Sequence, residues 1–264
     1  MSVQFLLLSI LFILMAVIGG KRGLKAFFSL WLNFLTLFMM LILISLNIDP
    51  LKITILGSII IGSITLFYIN GVNKKTVSSF LSVTLVVLLT MMLVYKIAAA
   101  AKIQGFSSEQ SETISYLSLD VQLDFTKIVV CEFLIGLLGA MIDIAISIAS
   151  AMNELYVNKL FTTPQSLLIS GINIGKDILG TMTNTLLFAF IGGFMTLVIW
   201  FSKFNYSLTD ILNNKVFGAE ILQVLCSGIG IVLIIPVTAI ITSRILLRDK
   251  SGSPCDDSGK SPSY

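Results

Sequence analysis

Histidine is absent from the sequence, and charged residues make up only 12% of its 264 positions. Without histidine, a histidine metal site, a Ser-His-Asp triad and an HExxH zinc motif are all excluded. The three cysteines, Cys131, Cys226 and Cys255, are odd in number and lack CxxC spacing, so no disulfide framework is predicted. Basic residues fall in twos and threes between apolar runs, which excludes a nucleic-acid patch. We expect neither enzymatic activity nor a cofactor.

Long apolar runs dominate what the sequence does contain. Hydrophobic residues make up 56% of the chain, and a helix needs about 20 of them in succession to cross roughly 30 Å of hydrocarbon. The runs recur along the whole chain, at approximately 3–20, 26–46, 53–69, 77–100, 125–151, 181–202 and 221–243. The sequence therefore predicts an all-α, polytopic membrane protein with about seven transmembrane helices.

The basic residues between the runs predict the orientation, because lysine and arginine accumulate in cytoplasmic loops. The first, third and fifth loops and the tail hold Lys21, Arg22, Lys25, Lys74, Lys75, Lys159, Lys176, Arg244, Arg248 and Lys250. The alternate loops hold Lys52, Lys102, Lys203 and Lys215, and the last three of these lysines are offset by Glu109, Glu112, Asp120, Asp124, Asp210 and Glu220. We therefore expect the N-terminus outside and the C-terminus in the cytoplasm.

Four segments follow from this pattern. Residues 1–100 are expected to form a four-helix N-terminal membrane part, and residues 125–247 a three-helix core. Residues 101–124 are predicted to form an acidic extracytoplasmic loop with a short interfacial helix, because they contain a Ser-x-x-Gln capping box. Residues 248–264 have the polar, Ser/Pro-rich composition of a disordered tail.

The fifth run carries two carboxylates, Glu132 and Asp143. They are 11 residues apart, so on a continuous helix they project within roughly 20° of each other, about 8–9 Å either side of the middle. A charge at that depth costs at least about 2.5 kcal/mol unless it is paired, protonated or hydrated. Their face also holds Gly136, Gly139, Ser147, Ser150 and Glu154; the opposite face holds Leu134, Leu138, Met141, Ala145, Ile148 and Met152. The pattern predicts an apolar face against lipid and a polar face against protein or water.

A second polar face precedes and enters the sixth run. Its members are Ser170, Asn173, Asp177, Thr181 and Asn184. Lys176 and Asp177 would stand at the membrane entrance, either as an ordinary interfacial boundary or as the mouth of a site. Thr163-Pro164 predicts the start of a helix. Glycines after it would let the backbone bend, so 163–180 is predicted to be an amphipathic or re-entrant segment.

Glycines recur on both polar faces. Gly136 and Gly139 lie on the first, and Gly175 and Gly180 lie beside the second. Small residues allow another helix to approach closely, so on their own they are typical of a packing seam. The two acids of the fifth run are different, because cheaper devices than a carboxylate exist for packing helices. For these acids we favour a functional role over a structural one.

Three stretches resemble the signature blocks of the YibE/F-like family of bacterial membrane proteins: IGLLGAMIDIAISIASAMNEL, ISGINIGKDILGTMTNTLLFAFIGG and GIGIVLIIPVTAI. The resemblance is strongest between Glu132 and Gly193 and extends to about Thr242. The family's glycine, acid and Ser-Ile-Ala-Ser pattern falls on Gly139, Asp143 and Ser147 to Ser150, and its Gly-(Arg/Lys)-Asp block on Gly175, Lys176 and Asp177. The resemblance implies a multi-span protein of the bacterial cytoplasmic membrane and brings no settled activity with it. The chain resembles the shorter of two sister types, which implies a longer sister protein as partner.

Three functions remain open at this point. The first is a transporter or ion-translocating subunit, in which Glu132 and Asp143 carry protons or a small cation and Asp177 and Asn184 form a cytoplasmic mouth. Carboxylates and the hydroxyls of the same face suit protons, Na⁺, Mg²⁺ or Mn²⁺. The second is an accessory or assembly subunit that docks through its polar face. The third, an intramembrane aspartyl protease pairing Asp143 with Asp177, is disfavoured because Lys176 stands where a GxGD motif has glycine.

Overall fold

The computed structural model describes residues 3–101, 124–158, 163–203 and 206–247, and every regular element in them is helical. The helices are α1 (Val3–Ser45), α2 (Pro50–Ser63), α3 (Lys74–Ala101), α4 (Phe125–Val157), α5 (Pro164–Lys203), α6 (Leu208–Asn213) and α7 (Lys215–Leu247). A π-helical turn, Ile64–Tyr68, continues α2. Six of the described helices, all except the short α6, are long and apolar enough to cross a membrane. The predicted all-α, polytopic fold is confirmed.

The first helix is divided at Gly20. This residue has φ 52° and ψ −135°, a conformation that glycine adopts far more readily than other residues. The rings of Phe12 and Phe27 lie 4.9 Å apart, whereas 15 residues of unbroken helix would separate them by roughly 22 Å. The two halves of α1 therefore fold back on each other. The described residues consequently form seven apolar helical segments, and a break at Gly20 replaces the predicted loop after the first run.

The fourth helix lies at the centre of the bundle. It packs against α2, α3, α5 and α7, and it contributes more buried side chains than any other described helix. It begins where Asp124 caps it, since Oδ1 of Asp124 accepts a hydrogen bond from the Thr126 amide at 3.1 Å. Ser79 of α3 donates a hydrogen bond to the Ala145 carbonyl of α4 at 3.1 Å. The outer helices therefore bury α4 on most of its circumference.

Neighbouring segments run antiparallel. The start of α5 lies against the end of α7, because a β-carbon at Gly171 would meet the Ala239 Cβ at 3.1 Å. The end of α5 lies against the start of α7, where the rings of Phe194 and Phe217 are 5.6 Å apart. The second half of α1 reaches the π-helical turn, where Asn33 Nδ2 donates to Thr65 Oγ1 at 3.0 Å. This alternation is what a chain crossing a bilayer back and forth requires.

The fifth helix begins as predicted and then differs from the prediction. It starts at Pro164, and the Thr163 hydroxyl accepts a hydrogen bond from the Ser166 amide at 3.4 Å. The re-entrant alternative for 163–180 is wrong, because α5 continues unbroken for 40 residues to Lys203. At about 60 Å it is roughly twice as long as the hydrocarbon is thick. The predicted interfacial helix in 101–124 lies outside the described residues except at the two ends of that range, and the predicted disordered tail, 248–264, lies entirely outside them.

Candidate functional site

The exposed part of α4 is a narrow polar strip. Between Val129 and Met152 its exposed residues are Glu132, Gly136, Gly139, Asp143 and Ser147, and every other residue there is buried or half-buried. These five positions recur every three or four residues, so they follow one line along the helix. We call them the α4 strip. It contains acids, a hydroxyl and glycines, and no apolar side chain.

The opposite face of α4 lies in the bundle core, which corrects one prediction. Its members Leu134, Leu138, Met141, Ala145, Ile148 and Met152 are each 2% exposed or less. The sequence predicted that this face would meet lipid. It meets α3 and α7 instead, because α4 is central and lipid is kept away by the helices around it. The polar face is therefore the one that the described helices leave uncovered.

The two acids of the α4 strip have no partner in the described part of the chain. Neither Glu132 nor Asp143 forms a hydrogen bond or an ion pair with a described residue. The arrangement at the start of the helix is different, since Lys127 Nζ lies 3.8 Å from Asp49 Oδ1. An unpaired carboxylate facing hydrocarbon is strongly unfavourable. The geometry therefore calls for water, a cation, a proton or a second chain along this strip.

The glycines of the two polar faces differ in what they contact. A β-carbon at Gly175 would overlap the Ile235 side chain of α7, so this glycine does allow close packing. A β-carbon at Gly136 would come within 3.3 Å of Gln223 Nε2. Gly139 and Gly180 face open space, with no described atom within 4 Å of the β-carbon position. The described residues therefore do not make the close packing that the sequence predicted at those two positions.

The polar face of α5 lies at membrane depth. Gly171 and Gly175 pack on Ala239 and Ile235, and both of those residues belong to the apolar run 221–243 of α7. The polar residues of α5 that follow are therefore level with a membrane-spanning segment, rather than at its entrance as predicted. Of the residues that the sequence singled out, Asn173, Lys176, Asp177, Thr181 and Asn184 are exposed, while Ser170 is half-buried and donates a hydrogen bond to the Ser166 carbonyl. Ser150, at the end of the α4 polar face, is also half-buried.

The structure does not join Asp143 to Asp177. No hydrogen bond links the two carboxylates, and neither has an ion-pair partner among the described residues. An aspartyl protease needs two carboxylates that share one proton at about 3 Å. The two polar faces are thus present on neighbouring helices without forming a catalytic pair.

A residue that the sequence placed in a loop lies in the bundle. Glu220 was assigned to the loop before the seventh run, but it is half-buried within α7. It lies on α7, which packs against α4, and the next turn of the same face brings Gln223 beside Gly136 of the α4 strip. Gln223, three residues further on, is 7% exposed and has no hydrogen-bond partner in the described residues. The three-residue spacing of Glu220 and Gln223 places both on one face of a helix, and this spacing could have revealed them from the sequence. Glu220 was missed because its charge was counted as part of a loop.

The fold and the uncovered polar faces define a class, namely a polytopic, all-α integral membrane protein with ionisable groups at membrane depth. The YibE/F-like protein family matches the chain over residues 7–248, and the chain belongs to that family. The match includes the helices before α4, beyond the blocks that the sequence resemblance used. Among the curated proteins and the solved structures, none matches the chain significantly.

Proposed function

We propose that this protein is a subunit through which protons or small cations cross the bacterial cytoplasmic membrane. One observation carries the proposal: the α4 strip presents two unpaired carboxylates at membrane depth on a helix that is otherwise buried. Intramembrane acids of this kind mark ion pathways and proton relays more often than packing contacts. In this proposal Glu132 and Asp143 bind the ion in turn, and Asp177 and Asn184 of α5 line the path beside them.

A second chain covers the α4 strip in this proposal. Lipid tails offer neither hydrogen bonds nor counter-charges, so they cannot stabilise Glu132 and Asp143. A second copy related by an axis along the membrane normal would place identical acids opposite each other at the same depth. A different membrane protein with basic or hydrogen-bonding groups fits the strip better, and a longer sister protein is our candidate. Tagged chain extracted in mild detergent should bring down one other membrane protein in fixed ratio.

The test of the transport role replaces each acid by its amide. Asp143→Asn and Glu132→Gln keep shape and hydrogen-bonding capacity but cannot take up or release a proton at ordinary pH. Glu154→Gln is the matched control, because Glu154 is exposed on the same face near the end of α4. Flux is measured in proteoliposomes with the co-purifying partner, using a pH-sensitive dye for protons and fluorescent indicators for Na⁺ and Mg²⁺.

We expect normal membrane abundance for all three variants, with flux lost by at least tenfold in Asp143→Asn and Glu132→Gln and retained in Glu154→Gln. Ser147→Ala should be milder, because a hydroxyl supplies one ligand and no charge. Full flux in both acid variants at normal abundance would remove the transport role. The strip would then be a docking surface of an accessory subunit, the alternative that its open, partner-free glycines favour.

The orientation is part of the same proposal. With Cys131, Cys226 and Cys255 replaced, a single cysteine within 102–123 should react with an impermeant maleimide in intact cells. A cysteine beside Lys75 should react only after permeabilisation. The opposite labelling pattern would reverse the direction of the proposed pathway.

A further inference from the structure

The outward face of α5 has its polar and apolar residues at the wrong depths for contact with lipid. Asp177, Asn184, Ile191 and Val198 are all exposed and recur every seven residues, so they follow one line along the helix. We call these four positions the α5 line. Its first two members are polar and its last two are apolar. No described residue forms a hydrogen bond or an ion pair with the side chain of Asp177 or Asn184.

Contacts between α5 and α7 give the depth of the α5 line. Gly175 packs on Ile235, which lies about one turn from the middle of the apolar run 221–243. The polar end of the line follows directly after Gly175, so it lies near the middle of the bilayer. The rings of Phe194 and Phe217 are 5.6 Å apart, and α7 begins just before Phe217. The apolar end of the line, past Phe194, therefore lies at or beyond the first residue of α7. Lipid favours the opposite arrangement, so protein covers this line.

Charges of both signs stand side by side at the polar end of the α5 line. Lys176 directly precedes Asp177, both are exposed, and neither has an ion-pair partner among the described residues. The two side chains do not pair with each other, because neighbouring residues of a helix point about 100° apart. The α4 strip carries acids and no base, so a second copy would repel it. The α5 line with Lys176 is complementary to itself, and this favours a second copy of the chain as its occupant.

The seven-residue spacing fits a parallel pair of α5 helices. In such a pair each residue of the line enters a hole on the facing helix, and that hole includes the residue just before its own equivalent. For Asp177 this residue is Lys176 of the second copy, and a two-fold axis repeats the contact on the other side. For Asn184 it is Thr183, an exposed hydroxyl. Gly180 has no described atom within 4 Å of its β-carbon position, so it lets the two backbones approach closely.

We propose that this protein forms a two-fold dimer through α5, in which Lys176 of each copy pairs with Asp177 of the other near the middle of the bilayer. Ile191 and Val198, 42% and 48% exposed in one copy, bury each other at the outer end. Asn184 restricts the pairing to two helices in one register, as a single asparagine does in a coiled coil.

Disulfide cross-linking in membranes tests the position of the interface. The full chain, with Cys131, Cys226 and Cys255 replaced, carries one new cysteine and is oxidised with copper phenanthroline. Val198→Cys lies on the α5 line. Ile199→Cys is the matched control, because Ile199 is the next residue, is 64% exposed and points about 100° away. We expect a covalent dimer at least fivefold stronger for Val198→Cys than for Ile199→Cys. Equal cross-linking at the two positions, or none at either, overturns the dimer.

Exchange of the charges tests the ion pair. Lys176→Asp places only acids at this level and Asp177→Lys only bases, so each variant alone should lose its dimer severalfold. Mixed in the same proteoliposomes, the two variants should pair with each other, because every base then faces an acid of the other chain. Energy transfer between donor-labelled and acceptor-labelled chains at high lipid dilution measures the pairing. Lys203→Asp, which changes an exposed charge of α5 away from the line, should pair like the wild type.

A single variant that accumulates poorly in the membrane still tests the pair, because coexpression of Lys176→Asp with Asp177→Lys should restore the abundance of both chains. Mixed variants that fail to associate, or single variants that dimerise like the wild type, overturn the ion pair. The dimer does not rest on the transport proposal, because it leaves the α4 strip free for another protein. Asp143→Asn should therefore dimerise normally, and its flux reports on the α4 strip alone.

Discussion

The first half of α1 and the α4 strip are both exposed, and they differ in chemistry. Exposed side chains in the first half of α1 are almost all large and apolar, such as Leu7 at 59% and Val17 at 76% exposed. Those of α3 and α7 are similar, with Leu85 and Leu225 as examples. These surfaces contact the lipid bilayer. The α4 strip has the same exposure but the composition of a protein interior or a hydrated path, which shows that exposure in a single chain does not by itself identify the lipid boundary.

The largest expected difference in membrane abundance is between a lysine on the lipid-facing surface of α3 and a lysine on the α4 strip. Leu85 and Gly139 lie at the same depth, because Ser79 of α3 meets Ala145 of α4 and the two helices run antiparallel. Leu85→Lys puts a charge into lipid near the bilayer centre, at a cost of about 3 kcal/mol. Gly139→Lys has open space and sits one turn from Asp143, so a counter-charge is within reach. Membrane abundance, by quantitative blot, should fall severalfold for Leu85→Lys and stay near wild type for Gly139→Lys.

If both lysine variants lost membrane abundance to the same extent, the contrast between the two surfaces would be wrong. The α4 strip would then face lipid as the first half of α1 does. Leu85→Met is the control for any disturbance at that position. It keeps the side chain apolar and of similar volume, so its abundance should match that of the wild type.

Composition and periodicity predicted the helices and the polar face of α4, because both follow from local patterns. The break between the first two runs was predicted near Gly20, and the start of α5 at Thr163-Pro164 was predicted to the residue. What covers each face of a helix was not predictable, because it depends on which helices surround it. For this reason the apolar face of α4 was assigned to lipid, although it is buried against α3 and α7.

The glycines of α5 show why the rest of the site was missed. Gly171, Gly175 and Gly180 predicted a bend, since glycine lowers helix propensity. Gly171 and Gly175 instead bring α5 onto α7, and the helix continues unbroken through them. Glu220 was missed for a related reason, because its place in the bundle comes from the packing of α7 against α4. Which helix each residue packs against cannot be read from the pattern of a single run, even where the spacing shows that two residues share a face.

Alanine at a buried and at an exposed glycine should have opposite effects. A methyl at Gly175 overlaps Ile235, which is 5% exposed and cannot move into open space. Overpacking of this kind costs about 1–3 kcal/mol, more than the gain in helix propensity of roughly 0.5–1 kcal/mol. Gly180→Ala gains helix propensity without any such overlap. Thermal unfolding in detergent should therefore show Gly175→Ala destabilised and Gly180→Ala unchanged or slightly stabilised.

Ile235→Ala supplies the control for the Gly175 prediction, because it removes the side chain that the new methyl meets. The double variant Gly175→Ala, Ile235→Ala should be less destabilised than the sum of its single variants. Additive effects of the two substitutions would mean that α5 and α7 do not pack through this pair.

The smallest expected effect concerns the hydroxyls inside the bundle, which have hydrogen-bond partners, unlike the acids of the α4 strip. Ser79 is buried and can donate either to the Lys75 carbonyl of its own helix or to the Ala145 carbonyl of α4. Ser82 is equally buried but donates to the Ser78 carbonyl, within α3. Hydrogen bonds between membrane helices contribute about 0.6 kcal/mol on average, because the serine finds another acceptor when the helices separate. Ser79→Ala should therefore lower the unfolding free energy by about 0.5 kcal/mol more than Ser82→Ala, measured by equilibrium unfolding in mixed detergent. A loss several times larger for Ser79→Ala would show that the bundle depends on hydroxyl contacts between helices. In that case the α4 strip, which has no such contact with a described residue, would be expected to recruit its second chain through Ser147 as much as through its acids.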